Sequence, residues 1–327
     1  MNPDRNRSTR ILIALALSLS AGLSVADRCH AQTSTPYPNQ MMRIVVPFAA
    51  GSTTDLLART VADRLSTRWQ QKVIVENRPG VAGTASVAKA QPDGYTVLMV
   101  SNGHAVLDRI NATLPFDPIK DFVGISKIAS LPLVLVVPPS SSASSLSGLV
   151  DIARAHPGKM SYASAGLGGV SHVASELLKQ IAKIDIVHVA YRGAPDAHTS
   201  VMRGDTQMCF TPVNVGAELI QSGRLRALAI SGRERSPGLP DVSTFSEAGM
   251  PEFVYEAWFG LLAPAGTPPQ ILKKINDDVN AILKSEEMVR LFAAQGATAA
   301  SSTPAEFTVL LKAESVRMGE LLPKAQN

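Results

Sequence analysis

From Met42 onward, short β-rich runs alternate with segments of helical periodicity, and this alternation restricts the chain to sheets layered with helices. Arg43 to Phe48 predicts the first strand, and Thr54 to Arg68 a helix with Leu57, Val61 and Leu65 on one face. Lys72 to Glu76 predicts a second strand, stopped by Arg78, Pro79 and Gly80. A helix around Thr84 to Ala90, the turn Pro92-Asp93-Gly94 and a strand Tyr95 to Val100 complete one α/β block. A second block repeats the outline. It has strands at Met160 to Ala163, Ile184 to Val189, Thr206 to Phe210 and Leu225 to Ile230, with helices at Ser171 to Ile181, Pro195 to Arg203 and up to Ser222. The sheet is expected to be mostly parallel.

Two apolar runs join the blocks. Leu131 to Val137 ends in Pro138, Pro139 and the serine-rich stretch Ser140 to Ser145, and reads as a strand crossing into the second block. Phe253 to Leu262, closed by Pro264 and Gly266, carries the chain back, where helices near Pro268 to Leu283, Ser285 to Gln295 and Pro304 to Leu322 finish the first block. A length of 327 residues suits two such domains and exceeds one comfortable core. The expected division is domain I over 32–133 and 257–327, and domain II over 134–256. Two crossings make a hinge, and a cleft between two α/β domains is a favoured ligand position.

The N-terminus has the layout of a secretory signal, with Arg5, Arg7 and Arg10 ahead of the apolar run Ile11 to Leu19 and then small residues. Cleavage is expected after Ala31, with Ala26 the competing site, which places the mature chain in the periplasm. A lipid anchor on Cys29 is disfavoured by Arg28 directly before it, and after cleavage only Cys209 remains, so no internal disulfide is expected. The formal charge of +4 comes from 31 Lys and Arg against 27 Asp and Glu; four of those arginines and two of those aspartates leave with the signal, which gives +2. No basic cluster lies on one face, so nucleic acid is not an expected partner.

Two loops are built from small residues, and each joins a strand to a helix start. The first runs from Pro47 to Asp55 and holds Phe48, Gly51, Ser52, Thr53 and Thr54. The second runs from Ala163 to His172 and holds Ser164, Ala165, Gly168 and Ser171. Free N–H groups at a helix N-terminus attract anions, glycines allow close approach and hydroxyls add donors, so the pair could clamp a carboxylate from two sides. Ordinary βα turns are the alternative. Asp55 would repel an anion and is expected to stabilise its helix start, while Ser101 and Asn102, after a strand, could line the cleft. His172, in a first helical turn, is expected to donate a hydrogen bond, and Trp258 and Phe259 are expected in the core.

Catalytic and metal motifs fit poorly. The six histidines are dispersed without a second ligand at metal spacing, so no metal or other cofactor is expected. Tyr162 to Gly166 lacks the first glycine of a nucleophile elbow, and Gly166 to Ser171 misses the last glycine of a dinucleotide fingerprint.

At these loops the chain resembles the Bug family, the substrate-binding proteins of tripartite tricarboxylate transporters. The matching segments are Arg43–Phe48 with Gly51–Asp55, Val75–Gly80, Pro92–Tyr95, Tyr162–Gly166 with His172, Asp185–Val189, Leu225–Ala229 and Phe259–Gly266. The resemblance spans essentially the whole mature chain. It implies a type 2 periplasmic binding-protein fold, with two α/β domains joined by two crossover strands and a small carboxylate in the cleft. It also implies a monomer that performs no chemistry and whose partner is a membrane permease. By position it assigns ligand contacts to Phe48, Gly51, Thr53, Thr54 and Ser101, and to Ser164, Ala165, Gly168, Ser171 and His172. Two departures matter: Ser52 follows Gly51 where the family usually has a second glycine, and Thr211 stands where an Asp is usual. A neutral Thr211 argues against a ligand ammonium. Two other readings remain: a secreted serine esterase or amidase using Ser164 or Ser171 with His172, and a periplasmic sensor for a signalling receptor.

Overall fold

The computed structural model describes residues 37–294 and 296–321, so the expected signal segment and its cleavage sites lie outside the described residues. The first block forms β1 (Met42–Val46), α1 (Thr53–Trp69), β2 (Val73–Asn77), α2 (Val81–Ala88) and β3 (Thr96–Ser101). A 3-10 turn, Asn102–Val106, then leads into the short α3 (Leu107–Ile110). Helix α1 starts where Ser52 accepts the Asp55 N–H and ends at Gln70 in the left-handed conformation; Leu57, Val61 and Leu65 are buried along one face, as their spacing predicts.

Strand β4 (Phe122–Val137) leads to α4 (Leu146–Ala155) and to a second set of alternating elements: β5 (Met160–Ser164), α5 (Val170–Ala182), β6 (Ile186–Ala190), α6 (Ala194–Arg203), β7 (Met208–Pro212), α7 (Val213–Gln221) and β8 (Arg226–Ile230). Strand β9 (Glu256–Pro264) returns the chain, followed by α8 (Pro269–Leu283), α9 (Glu286–Ala294), β10 (Thr298–Ala299) and α10 (Pro304–Leu321).

The strand order β2-β1-β3-β9-β4-β7-β5-β6, with β8 and β10 also on β4, makes a mixed sheet. Its flanks are parallel, β1 with β2 and β3, and β5 with β6 and β7. Its middle is antiparallel, which departs from the mostly parallel expectation, because the two strands that cross between the blocks run in opposite directions. The front of β4 pairs with β9 from Phe122 to Pro132, and its end, from Leu133 onward, pairs with β7 and β8. One strand therefore serves both halves. Register shifts at Gly124/Ser126, Lys127/Ala129 and Leu135/Val136 bend it along the way.

Among the described residues, two hydrophobic clusters lie one in each half. Val45, Leu98, Phe122, Trp258, Leu262 and Phe307 form one, and Val134, Val136, Ala163, Val201, Cys209 and Ile230 the other. Helix α10 is seated on the first core by Phe307, whose ring covers Gly260 so closely that a Cβ there would fall 2.1 Å from it.

Candidate functional site

The parallel strands of both halves end toward one cavity of about 50 Å3, at the edge where βα loops gather. Four helices begin at its wall: α1 at Ser52 to Thr54, α5 at Gly169 to Ser171, α6 at Ala194 and α7 beside Pro212. Helix geometry leaves the first N–H groups of each without an intrahelical acceptor, and each contributes the positive end of its dipole. Among the described residues that line it, none is Lys, Arg, Asp or Glu. An anion here would be held by dipoles, N–H groups and hydroxyls alone.

Of the residues singled out in the sequence, Phe48, Ser52, Thr53, Thr54, Ser101, Ala165, Ser171 and Thr211 lie in the cavity wall. Ser101 is 2% exposed and its Oγ has no hydrogen-bond partner. A buried hydroxyl left unpaired is costly, so this one is poised for a ligand atom.

The other candidates stand behind the wall and hold it in shape. Gly51 N–H donates to Asp55 Oδ2 at 2.9 Å. Asp55 also accepts from Arg59 and Asn77, so it secures the α1 start rather than facing the cavity; burial opposes its ionisation, but these hydrogen bonds outweigh burial and keep it below its ordinary range. Asn102 Oδ1 accepts from Tyr255 Oη at 3.0 Å. Ser164 is fully buried with its Oγ 2.7 Å from His188 Nε2, and the His188 ring stacks against those of both Tyr162 and His172. Gly168 N–H donates to His172 Nδ1 at 3.2 Å. His172 is thus an acceptor here, not the expected donor, and burial, reinforced by His188 and Lys179, lowers its pKa to about 3. It pins the loop as a neutral ring.

The esterase geometry changes accordingly. Ser164 meets His188 rather than His172, and the nearby Glu176 is taken by Tyr162 Oη and Lys179. Ser171 Oγ accepts the Ala165 N–H at 3.1 Å. No Ser–His–carboxylate relay opens onto the cavity among the described residues.

Sequence reasoning missed His198, Ala194 and Phe259. His198 Nε2 lies 2.9 Å from Thr211 Oγ1 across the cavity wall, and burial lowers its pKa to about 4. The signal for it was the third βα junction of the second half, Arg192-Gly193-Ala194, where another helix starts at the same sheet edge. Trp258 is in the core as expected, but the equally buried Phe259 also walls the cavity.

The two cores, the two crossing strands and a buried cavity between βα loops define a two-domain periplasmic binding-protein fold. The chain belongs to the Bug family of tripartite tricarboxylate transporter receptors: the model described as "Tripartite tricarboxylate transporter family receptor" matches residues 57–326. It is 36% identical to BugT of Bordetella pertussis over 301 residues, 90% of this chain and 91% of that one. It is similar in structure to Rpa4515 of R. palustris with adipate, with a TM-score of 0.81, 31% identity and coverage of 87% and 97% of the two chains. It is also similar to MatC of Rhodopseudomonas palustris with bound malate, with a TM-score of 0.82, 29% identity and coverage of 88% and 100%. The family is one of solute-binding proteins.

Proposed function

We propose that this chain is exported to the periplasm, captures a small carboxylate between its two halves without chemical change, and delivers it to a membrane permease. The observation that carries this reading is the convergence of four helix N-termini on one cavity whose described lining bears no charged side chain. The adipate and malate held by two structural relatives support a carboxylate as cargo. Domain I would span 32–133 and 257–327, and domain II 134–256. The ligand would touch Phe48, Ser52, Thr53, Thr54, Ser101, Ala165, Ser171 and Thr211, with His198 added. Gly51, Asn102, Ser164, Gly168 and His172 would support them from behind.

Thermal unfolding with a panel of carboxylates tests the reading. A ligand that binds only the folded chain adds about 3 kcal/mol at a hundredfold excess over its dissociation constant. At least one acid should raise the melting temperature. If sugars and amides did so while every acid failed, the anion site would be refuted.

Thr211 sets the kind of acid. An Asp in its place would put a carboxylate against the bound anion in a poorly hydrated cavity, with His198 the nearest titratable group. Thr211→Asp should weaken acid binding by about tenfold to a hundredfold at pH 8, and less at pH 6, where His198 beside the new carboxylate can take up a proton. Calorimetric titration reads both numbers, and unchanged affinity at pH 8 would remove Thr211 from the site.

A further inference from the structure

A second cavity, of about 330 Å3, adjoins the first and shares Phe48, Ser101 and Ala165 with it. Its wall is mainly apolar, with Val81, Val100, Leu107 and Leu167 facing it. Thr84 and Tyr191, whose hydroxyl is bonded to Ser200, also line it, and three further polar features limit what can lie there. The first is the unpartnered Ser101 Oγ at the junction, which can donate toward either cavity. The second is His104, 4% exposed, whose Nε2 lies 2.8 Å from the Pro118 carbonyl and must be its donor, since a carbonyl only accepts. Its Nδ1 is then a lone pair with no hydrogen-bond partner. The third is Arg192, the one charged residue in the wall, which is exposed and makes no ion pair among the described residues.

Each narrows the ligand in its own way. Burial keeps His104 neutral, with its pKa lowered to about 4, so its Nδ1 lone pair repels a carboxylate oxygen placed beside it. Apolar walls disfavour hydroxylated or charged atoms in the same stretch. Beyond the junction, Arg192 is the one side chain in the wall whose charge is opposite to that of an acid group, and it adds to the N–H groups at the start of α2, where Gly80 and Val81 lie in the same wall.

We propose that the second cavity holds the far half of the ligand, and that the cargo is a dicarboxylate with an apolar body, a ring or an unbranched chain, long enough to reach Arg192. Its first carboxylate lies at the helix N-termini, its body passes Phe48 and Ser101, and its second carboxylate meets the Arg192 guanidinium. This rests on the carboxylate reading above and narrows it. Short hydroxy acids and tricarboxylates leave the apolar wall unfilled or place charge against it.

Calorimetric titration of the mature protein with adipate, pimelate and terephthalate, against malate, tartrate and citrate, tests the assignment. At least one of the first group should bind about tenfold or more tighter than every member of the second. Arg192→Gln should weaken binding of that diacid by about tenfold while changing that of the monoacid of equal length by less than about threefold. Leu167→Trp, on an exposed loop position, and Val81→Phe on another part of the wall should each fill the cavity and abolish that selectivity. Tightest binding of malate, tartrate or citrate, or full selectivity retained in both filled variants, would overturn the proposal. Binding of no acid of either group would instead refute the carboxylate reading on which it rests.

Discussion

Replacing Gly103 with alanine should abolish tight ligand capture while leaving the unliganded protein as stable as before. Gly103 sits in the 3-10 turn after β3, and a Cβ built on it falls 1.7 Å from the Gly168 carbonyl oxygen and 2.6 Å from its carbon. Gly168 belongs to the β5–α5 loop, so the two loops touch backbone to backbone beside the cavities. The φ of Gly103 is not in the left-handed region, so alanine there brings no backbone strain. The methyl must be accommodated by moving the loops apart. Ordinary carbon contacts need about 3.5 Å, so the gap must widen by roughly 1.5–2 Å.

Neighbouring loops at this edge also meet, at distances nearer ordinary packing. A Cβ on Gly193 would meet Ala49 Cβ at 3.3 Å, and one on Gly169 would meet Phe48 Cε1 at 3.6 Å. A ligand favours the arrangement in which it touches both walls at once, and a separation of that size removes one set of hydrogen bonds. Affinity should fall by about a hundredfold, read by titration with the acid that most stabilises the unaltered protein. Wild-type affinity in Gly103→Ala would show that this contact is not part of the ligand-holding state.

Lowering the pH from 6.5 to 4.5 should destabilise the protein steeply, while the hydrogen-bonded carboxylates of Asp55 and Asp278 are still ionised. Burial lowers the pKa of His104 and His198 to about 4 and of His172 to about 3, from 6.5 in the unfolded chain. Each ring is neutral when folded and takes up a proton on unfolding within this window. The unfolded state then binds more protons, so stability is complete above pH 6.5 and falls as pH drops toward the folded values. Three such groups give a slope of at most about 4 kcal/mol per pH unit. His188, also lowered by burial, acts in the same direction.

Asp55 and Asp278 behave differently. Burial opposes the ionisation of both, but their hydrogen bonds with Arg59, Gly51 and Asn77, and with Lys274, Trp69 and Arg68, hold them below the ordinary carboxylate value. Their contribution is present above pH 3.8 and is lost only as pH falls below it. Urea unfolding at pH 7.5, 6, 5 and 4.5 should show the loss, and His198→Asn should flatten the slope by about one proton. A flat profile across that range would mean these imidazoles are charged in the folded protein.

Much of this molecule was legible from local pattern. Leu57, Val61 and Leu65 recur at helical spacing, and α1 buries them; Met160 to Ala163 alternates toward a strand, and β5 forms there. The small-residue loops before α1 and α5 were visible because glycine, serine and threonine at a strand-to-helix junction leave N–H groups free. Such features depend on neighbours within a few residues, which the sequence contains in full. What the sequence could not show is pairing at long range. The front of β4, Phe122 to Ser130, carries Ser126, Lys127 and Ser130 among its apolar residues and reads as no clear strand, yet β9 pairs with it from more than a hundred positions away. That pairing makes the middle of the sheet antiparallel and brings Phe259 to the cavity.

The sequence by itself determined the two α/β blocks, the crossings and the small-residue loops, since all of these follow from short-range periodicity and backbone freedom. Only the tertiary structure decided which side chains face the ligand. Phe48, Ser101, Ser171 and Thr211 meet at one cavity, while Ser164 and His172 turn inward to a stack with His188. A residue on a loop is exposed or buried according to what the rest of the fold places against it: for Ser164 and His172 that is Tyr162 and His188 of the same half, whereas the cavity wall is completed by residues from both halves of the chain.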